Sequence, residues 1–137
     1  MEERAMSRKN KKSYVEIIKE DVDQNGDFTT LRADSHIYDS KGRLTKQEHI
    51  YDSSSDDQAS YQIQSFSYDY KGNRIQEVSK YDYGMDGSID DVTSYDYTYN
   101  KQEKQTSSIQ KRDENNDGVV DYMSKYEFAY DEKGNKI

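Results

Sequence analysis

Asp113, Asn115, Asp117 and Asp121 place side-chain oxygens at positions 1, 3, 5 and 9 of the stretch DENNDGVVD, with Gly118 at position 6. A hard divalent cation such as calcium takes about six to eight oxygens at about 2.3–2.6 Å. Alternate residues of a tightly curled loop turn their side chains to one side and can supply several of them. The Val119 carbonyl can add an oxygen from position 7. Glycine at position 6 permits the sharp reversal. These residue types at this spacing read as a calcium loop. The competing reading is turn chemistry, because Asp, Asn, Gly and Ser commonly hydrogen-bond local backbone in turns. The pair of carboxylates four residues apart favours the ion, since like charges repel when nothing lies between them.

Three further loops stand at the same phase of the chain. Loop starts at Asp21, Asp52, Asp82 and Asp113 are 31, 30 and 31 residues apart. In 82–90, Asp82, Asp86, Gly87 and Asp90 keep positions 1, 5, 6 and 9, Ser88 stands at position 7, and Gly84 empties position 3. In 21–29, Asp21, Asp23, Asn25 and Gly26 keep positions 1, 3, 5 and 6, with Asp27 at position 7 and Thr29 at position 9. In 52–60, Asp57 occupies the glycine position, so that loop is expected to hold no metal.

The first nine positions of DENNDGVVD resemble an EF-hand loop, but Ser124 stands where the bidentate position-12 glutamate would be. A loop ending at position 9 between two strands is similar to the calcium hairpins of FG-GAP repeats. That resemblance implies Asp113, Asn115, Asp117 and Asp121 as side-chain ligands and nothing about partners. Sites with two or three carboxylates and no cage are expected to bind weakly, with Kd of about 10⁻⁴–10⁻³ M. Magnesium fits less well because it demands stricter octahedral geometry.

The elements that carry these loops follow from an internal repeat of about 30 residues. Its units run 16–46, 47–76, 77–106 and 107–137. Each unit has a second turn signal: YDSKG at 38–42, YDYKG at 68–72 and YDEKG at 130–134. Asp at the first turn position and Gly three residues later fit a type I turn closed by a left-handed residue. Unit three has YNKQEK at 99–104 instead, which predicts a longer or strained turn. Between turns lie short segments with period-two patterning, such as Tyr122, Tyr126, Phe128 and Tyr130 after Asp121, and these read as strands.

Short connections make neighbouring strands antiparallel. The expected fold is all-β, a meander of about eight strands in a single-layer or coiled sheet, with an eight-stranded up-and-down barrel as the alternative. A sandwich is disfavoured, because segments such as KQTSSIQKR (104–112) are polar on both faces. The YDxKG turns that follow Tyr-rich strands resemble YD-repeat (Rhs-type) bacterial proteins. That resemblance implies a coiled β-strip of hairpins from a surface or secreted protein; with only four units, shell formation is not implied.

Composition sets the remaining bounds. Of 137 residues, 31% are hydrophobic and 35% charged, net charge is −8, and mean hydropathy is −1.34. Such values ordinarily indicate disorder. The absence of proline and the regular spacing of 14 tyrosines argue for an ordered but thin structure. Residues 1–12 hold five basic and two acidic residues and read as a solvated tail or short helix ahead of a repeat domain at 13–137. The acidic remainder disfavours nucleic acid. No apolar run is long enough for a membrane span.

His36 and His49 stand in no triad or zinc spacing and read as surface residues. No catalytic constellation is evident, and an enzyme is not expected. The chain ends at Ile137, where, as at Leu44 and Ile75, another strand should begin, so the expectation is either a fragment of a longer array or pairing of the last edge with another chain, self-association included. The expected function is a non-enzymatic calcium-binding repeat module. It would lie outside cells or at the cell surface within a larger chain, or in the cytoplasm if the chain is whole. The alternative is a metal-free scaffold that binds glycan or protein through its tyrosines.

Overall fold

The structure, a computed structural model, describes residues 3–5, 13–22, 28–53 and 59–137, with side chains over 31–52 and 59–137. The described residues form one antiparallel sheet in sequence order. Its strands are β1 (Glu3–Ala5), β2 (Ser13–Val22), β3 (Phe28–Tyr38), β4 (Leu44–Ser53), β5 (Ser60–Tyr68), β6 (Arg74–Tyr83), β7 (Asp91–Tyr99), β8 (Gln105–Asp113) and β9 (Tyr122–Glu127). The eight repeat strands are β2–β9, and β1 adds a short ninth at the edge. The sheet is open: β1 and β9 do not pair, so the barrel alternative is not adopted. β9 stops at Glu127, so Phe128 and Tyr130 lie beyond it. No helix among the described residues is long and apolar enough to cross a membrane.

A single layer has nowhere to bury a conventional core. Phe66 is the one buried hydrophobic side chain among the described residues, and no described side chain is fully buried. Backbone ladders therefore carry the sheet, helped by contacts that lie flat on it. The Arg74 guanidinium stacks 4.3 Å from the Phe66 ring centroid, and that of Arg43 4.8 Å from the Tyr68 ring. Each such contact contributes about 0.5–1 kcal/mol at exposed sites.

The two turn types lie at opposite ends of the strands. At the tight-turn end all four connections share one geometry. The N–H of the first residue bonds the carbonyl four residues on, as in Asp39 to Arg43 and Asn100 to Lys104, both at 2.9 Å. The N–H of the fourth residue returns to the first carbonyl, as in Gly72 to Asp69 at 3.1 Å and Glu103 to Asn100 at 3.0 Å. The first side chain then caps the reversal. Asp69 Oδ1 accepts from the N–H groups of Lys71 and Asn73, and Asn100 Oδ1 from those of Gln102 and Lys104. The register shift one residue before the turn, as at Ser67/Tyr68, is the bulge such a loop requires.

That bulge gives the recurrent tyrosine its task. The Tyr68 hydroxyl donates to the Leu44 carbonyl at 2.7 Å, Tyr99 to Arg74 at 2.7 Å and Tyr130 to Gln105 at 2.8 Å. Each bond joins the residue just before one tight turn to the strand start just after the preceding tight turn. Sequence spacing alone does not reveal this clasp, because it needs the register across the inter-hairpin pair.

The unit-three turn is no longer than the others. Its departure is conformational: Glu103 takes φ of 62°, in the left-handed region that Gly72 occupies at 97°. A side chain there costs about 1–2 kcal/mol, partly offset in a glycine replacement by the greater freedom of the unfolded chain. Glu103→Gly is expected to stabilise the sheet by about 0.5–1 kcal/mol, seen as a higher urea midpoint at unchanged slope. The ion pair it removes, Lys71–Glu103 at 3.8 Å on the surface, is worth little. A lowered midpoint would contradict this account.

The same turns set an acid response. The Arg43 backbone N–H holds the Asp39 carboxyl below its usual range, and the Asn73 and Asn135 side chains do the same for Asp69 and Asp131. A depressed folded pKa stabilises above the unfolded value of about 3.9 and is lost as pH falls through the lower folded value. Asn100 already holds the equivalent bonds without a charge. Asp69→Asn should therefore make the urea midpoint fall less steeply than wild type on acidification below about pH 4. An unchanged slope would show that this carboxylate does not contribute.

Candidate functional site

The Asp-rich loops occupy the other end of the sheet, between β6 and β7 and between β8 and β9. They match bond for bond. In 82–90, Asp82 accepts from the N–H groups of Asp86 at 3.1 Å and Gly87 at 3.0 Å, and Asp86 Oδ1 from Ser88 N–H at 2.8 Å. Asp90 Oδ2 accepts from Tyr83 N–H at 2.6 Å. In 113–121, Asp113 accepts from Asp117 at 3.1 Å and Gly118 at 2.9 Å, Asp117 Oδ1 from Val119 at 2.8 Å, and Asp121 Oδ2 from Glu114 at 2.8 Å. Asn115 Oδ1 adds a bond from Asp117 N–H at 3.3 Å. Position 4 is left-handed in both, Met85 at φ 54° and Asn116 at 52°, as is position 6, Gly87 at 91° and Gly118 at 87°.

The carboxylates at positions 1, 5 and 9 thus each hold backbone N–H groups. One oxygen at positions 5 and 9 enters no hydrogen bond: Asp86 Oδ2 and Asp90 Oδ1, and Asp117 Oδ2 and Asp121 Oδ1. These atoms have the right hardness for calcium. Among the described residues, however, no three Asp, Glu, His or Cys side chains converge as a ligand set. Asp82 is 4% exposed, a buried carboxylate compensated only by backbone N–H groups, whereas Asp113 is half-buried. Val119 is exposed. Of the loop at 21–29, Asp21 belongs to β2 and Thr29 to β3, while Asp23, Asn25 and Asp27 lie outside the described residues. Ser54, Asp56 and Asp57 of the second loop lie outside them as well.

One sheet face carries a polar ladder that crosses the strands. Asp34 on β3 pairs with His49 Nδ1 on β4, and Gln47 on β4 bonds Gln64 on β5. Gln64 continues to the Ser79 hydroxyl at 3.1 Å, and Gln62 to the Tyr81 hydroxyl at 3.0 Å. His49 is therefore partnered, across a strand pair that separates the two residues by 15 positions. The same face bears two flat tyrosine pairs, Tyr81/Tyr83 at 5.9 Å and Tyr95/Tyr97 at 6.3 Å between ring centroids. Burial pushes the Tyr97 hydroxyl pKa up, and burial with the nearby Asp91 charge does so for Tyr83.

Between these rings lies an open groove of about 420 Å³ across β6, β7 and β8. Asp91 sits in its wall at 3% exposure. Its Oδ2 accepts from Arg112 Nε at 2.9 Å and Nη2 at 2.5 Å, while its buried Oδ1 has no partner. Sequence reasoning missed this pair. Asp91 immediately follows one Asp-rich loop and Arg112 immediately precedes the next, so the repeat phase combined with antiparallel register could have found it. Breaking a buried pair leaves an uncompensated charge. Arg112→Ala is expected to lower the urea midpoint at unchanged slope, because it leaves the 3%-exposed Asp91 carboxylate without its cation. An unchanged midpoint would class the pair with ordinary surface bridges.

Searched against protein-family models and against curated proteins, the chain matches none.

Proposed function

We propose that this chain is a non-enzymatic β-hairpin repeat module whose Asp-rich loop ends take up calcium. The carrying observation is Asp82: a carboxylate at 4% exposure, at position 1 of its loop, with no cationic partner. A buried charge requires compensation, and two further carboxylates of the loop each retain an oxygen that accepts nothing. The repetition of the network at 113–121 supports a shared task for the two loops. Weak sites of this kind fill at millimolar calcium, which fits a bacterial surface or secreted setting, as does the likeness to YD repeats.

A second reading draws on a different observation. Every position-1, -5 and -9 carboxylate in the two loops already caps backbone N–H groups, so the loops can fold without an ion. The sheet is then a metal-free scaffold that presents its tyrosine-bearing face to a glycan or protein.

Thermal melting separates the two. With calcium at about tenfold above Kd, one site stabilises by about 1.4 kcal/mol, a shift of a few degrees over the melt in chelator. Asp117→Asn keeps an oxygen for the Val119 N–H but removes charge. It should leave the chelator melt nearly unchanged and shrink the calcium increment. An identical midpoint in millimolar calcium and in chelator would sink the calcium reading and leave the scaffold.

A further inference from the structure

We infer that the basic tight-turn end of the sheet docks the Asp-rich loop end of a second copy of this chain. The contact goes beyond the proposed function and requires neither ion nor glycan.

The first ground is what each end presents. The tight turns and their flanks, 39–44, 69–74, 100–105 and 131–136, hold eight basic and five acidic residues. Asp39, Asp69 and Asp131 are committed to their own backbone N–H groups. The lysines are not committed in the same way. Lys41, Lys101, Lys104 and Lys133 are exposed and pair with no carboxylate among the described residues. At the other end, loops 82–90 and 113–121 hold seven acidic residues and no basic one. Asp86 Oδ2, Asp90 Oδ1, Asp117 Oδ2 and Asp121 Oδ1 enter no hydrogen bond. Arg112, which precedes the second loop, is already held by Asp91 and Glu114.

The second ground is separation. Strands of nine or ten residues, rising about 3.3 Å per residue, keep the two ends about 30 Å apart. Salt screens exposed charges over about 8 Å. Each end therefore shows a partner its own sign, despite the net charge of −8.

The third ground is spacing. Tight turns and wide loops both recur at every second strand, about 9.6 Å apart. Neighbouring turns of one copy thus match neighbouring loops of another. The turns at 100–104 and 131–135 are tied as a pair, since Gln102 Nε2 donates to the Glu132 carbonyl at 3.2 Å. Together they carry Lys101, Lys104 and Lys133. An ammonium on a flexible stem, with three donors, can meet carboxylate oxygens aimed in different directions. Sheet twist turns successive hairpins away from a common line, which confines the contact to two turns on two loops. Such a contact is heterologous: each copy keeps a free end of the other kind, so rows of copies can grow.

The test is light scattering from the full chain in chelator, over rising protein concentration, at about 20 mM and about 300 mM salt. Molecules of net charge −8 ordinarily repel one another, and more strongly as salt falls. The end-to-end contact is expected to reverse that trend. Average mass should rise with concentration at low salt and return to the monomer value at high salt. Lys101→Glu combined with Lys133→Glu changes two side chains that pair with no carboxylate in the protein, should fold normally, and should abolish the rise. Lys80→Glu combined with Lys125→Glu makes the same charge change in mid-strand and should retain most of it. The turn variant keeps its loops, so adding it to wild type should cap growing rows and lower the average mass. A wild-type mass that stays monomeric or falls as salt is lowered would overturn the proposal. So would a rise that the turn variant retains, that the mid-strand variant loses equally, or that the mixture leaves unchanged. Because calcium is absent, a monomer here says nothing against the loops as ion sites, and a flat calcium melt says nothing against the contact.

Discussion

An aspartate oxygen that accepts the backbone N–H groups of the chain it has just turned recurs at both ends of the sheet. At the tight turns it is Asp39, Asp69 and Asp131, with Asn100 in the same role. At the wide loops it is Asp82 and Asp113, each holding two N–H groups in a single carboxylate. Reversals are where a chain exposes unpaired backbone groups. Because the described residues of this sheet form almost no core to compensate for errors, correct reversals fix the register of the strands between them. The acidic composition follows from this demand as much as from any ion.

Among the described residues, the near-absence of a core changes what the side chains must do. On an ordinary two-layer protein, hydrophobic burial dominates and polar residues fill the surface. Here the polar residues are the cross-strand glue. Asp34 reaches His49, Gln47 reaches Gln64, and Gln64 reaches Ser79, each across one strand pair. Tyrosine contributes twice, by lying flat along its strand and by donating its hydroxyl to a neighbouring strand end. Phenylalanine could do only the first, which gives a physical reason for 14 tyrosines against three phenylalanines.

The architecture was legible in the sequence because the repeat marks its own reversals. Two turn signals per unit, at constant phase, are enough to dictate an antiparallel meander, and the glycine of YDxKG indicated its left-handed corner. Of the longer or strained turn that unit three's sequence predicts, the strained form is adopted: Glu103 takes the left-handed position, and the turn keeps its length because Asn100 supplies the same cap. The groove was not legible, since Asp91 and Arg112 lie 21 residues apart and meet only through the register of β7 and β8. The loop carboxylates were legible as loop residues, but spacing could not distinguish an oxygen aimed at a cation from one aimed at its own backbone.

Among the described residues, each strand touches only the strands before and after it in sequence. No third element among the described residues ties distant strands together. Under tension such a sheet would open like a zipper from either edge, releasing one strand pair after another rather than failing as a unit. The tyrosine clasps sit at the seams between successive tight-turn hairpins, so every second release step would meet a local catch. A sheet of this kind yields by degrees and can re-close behind the load, a mechanical character that a single cooperative core would deny it.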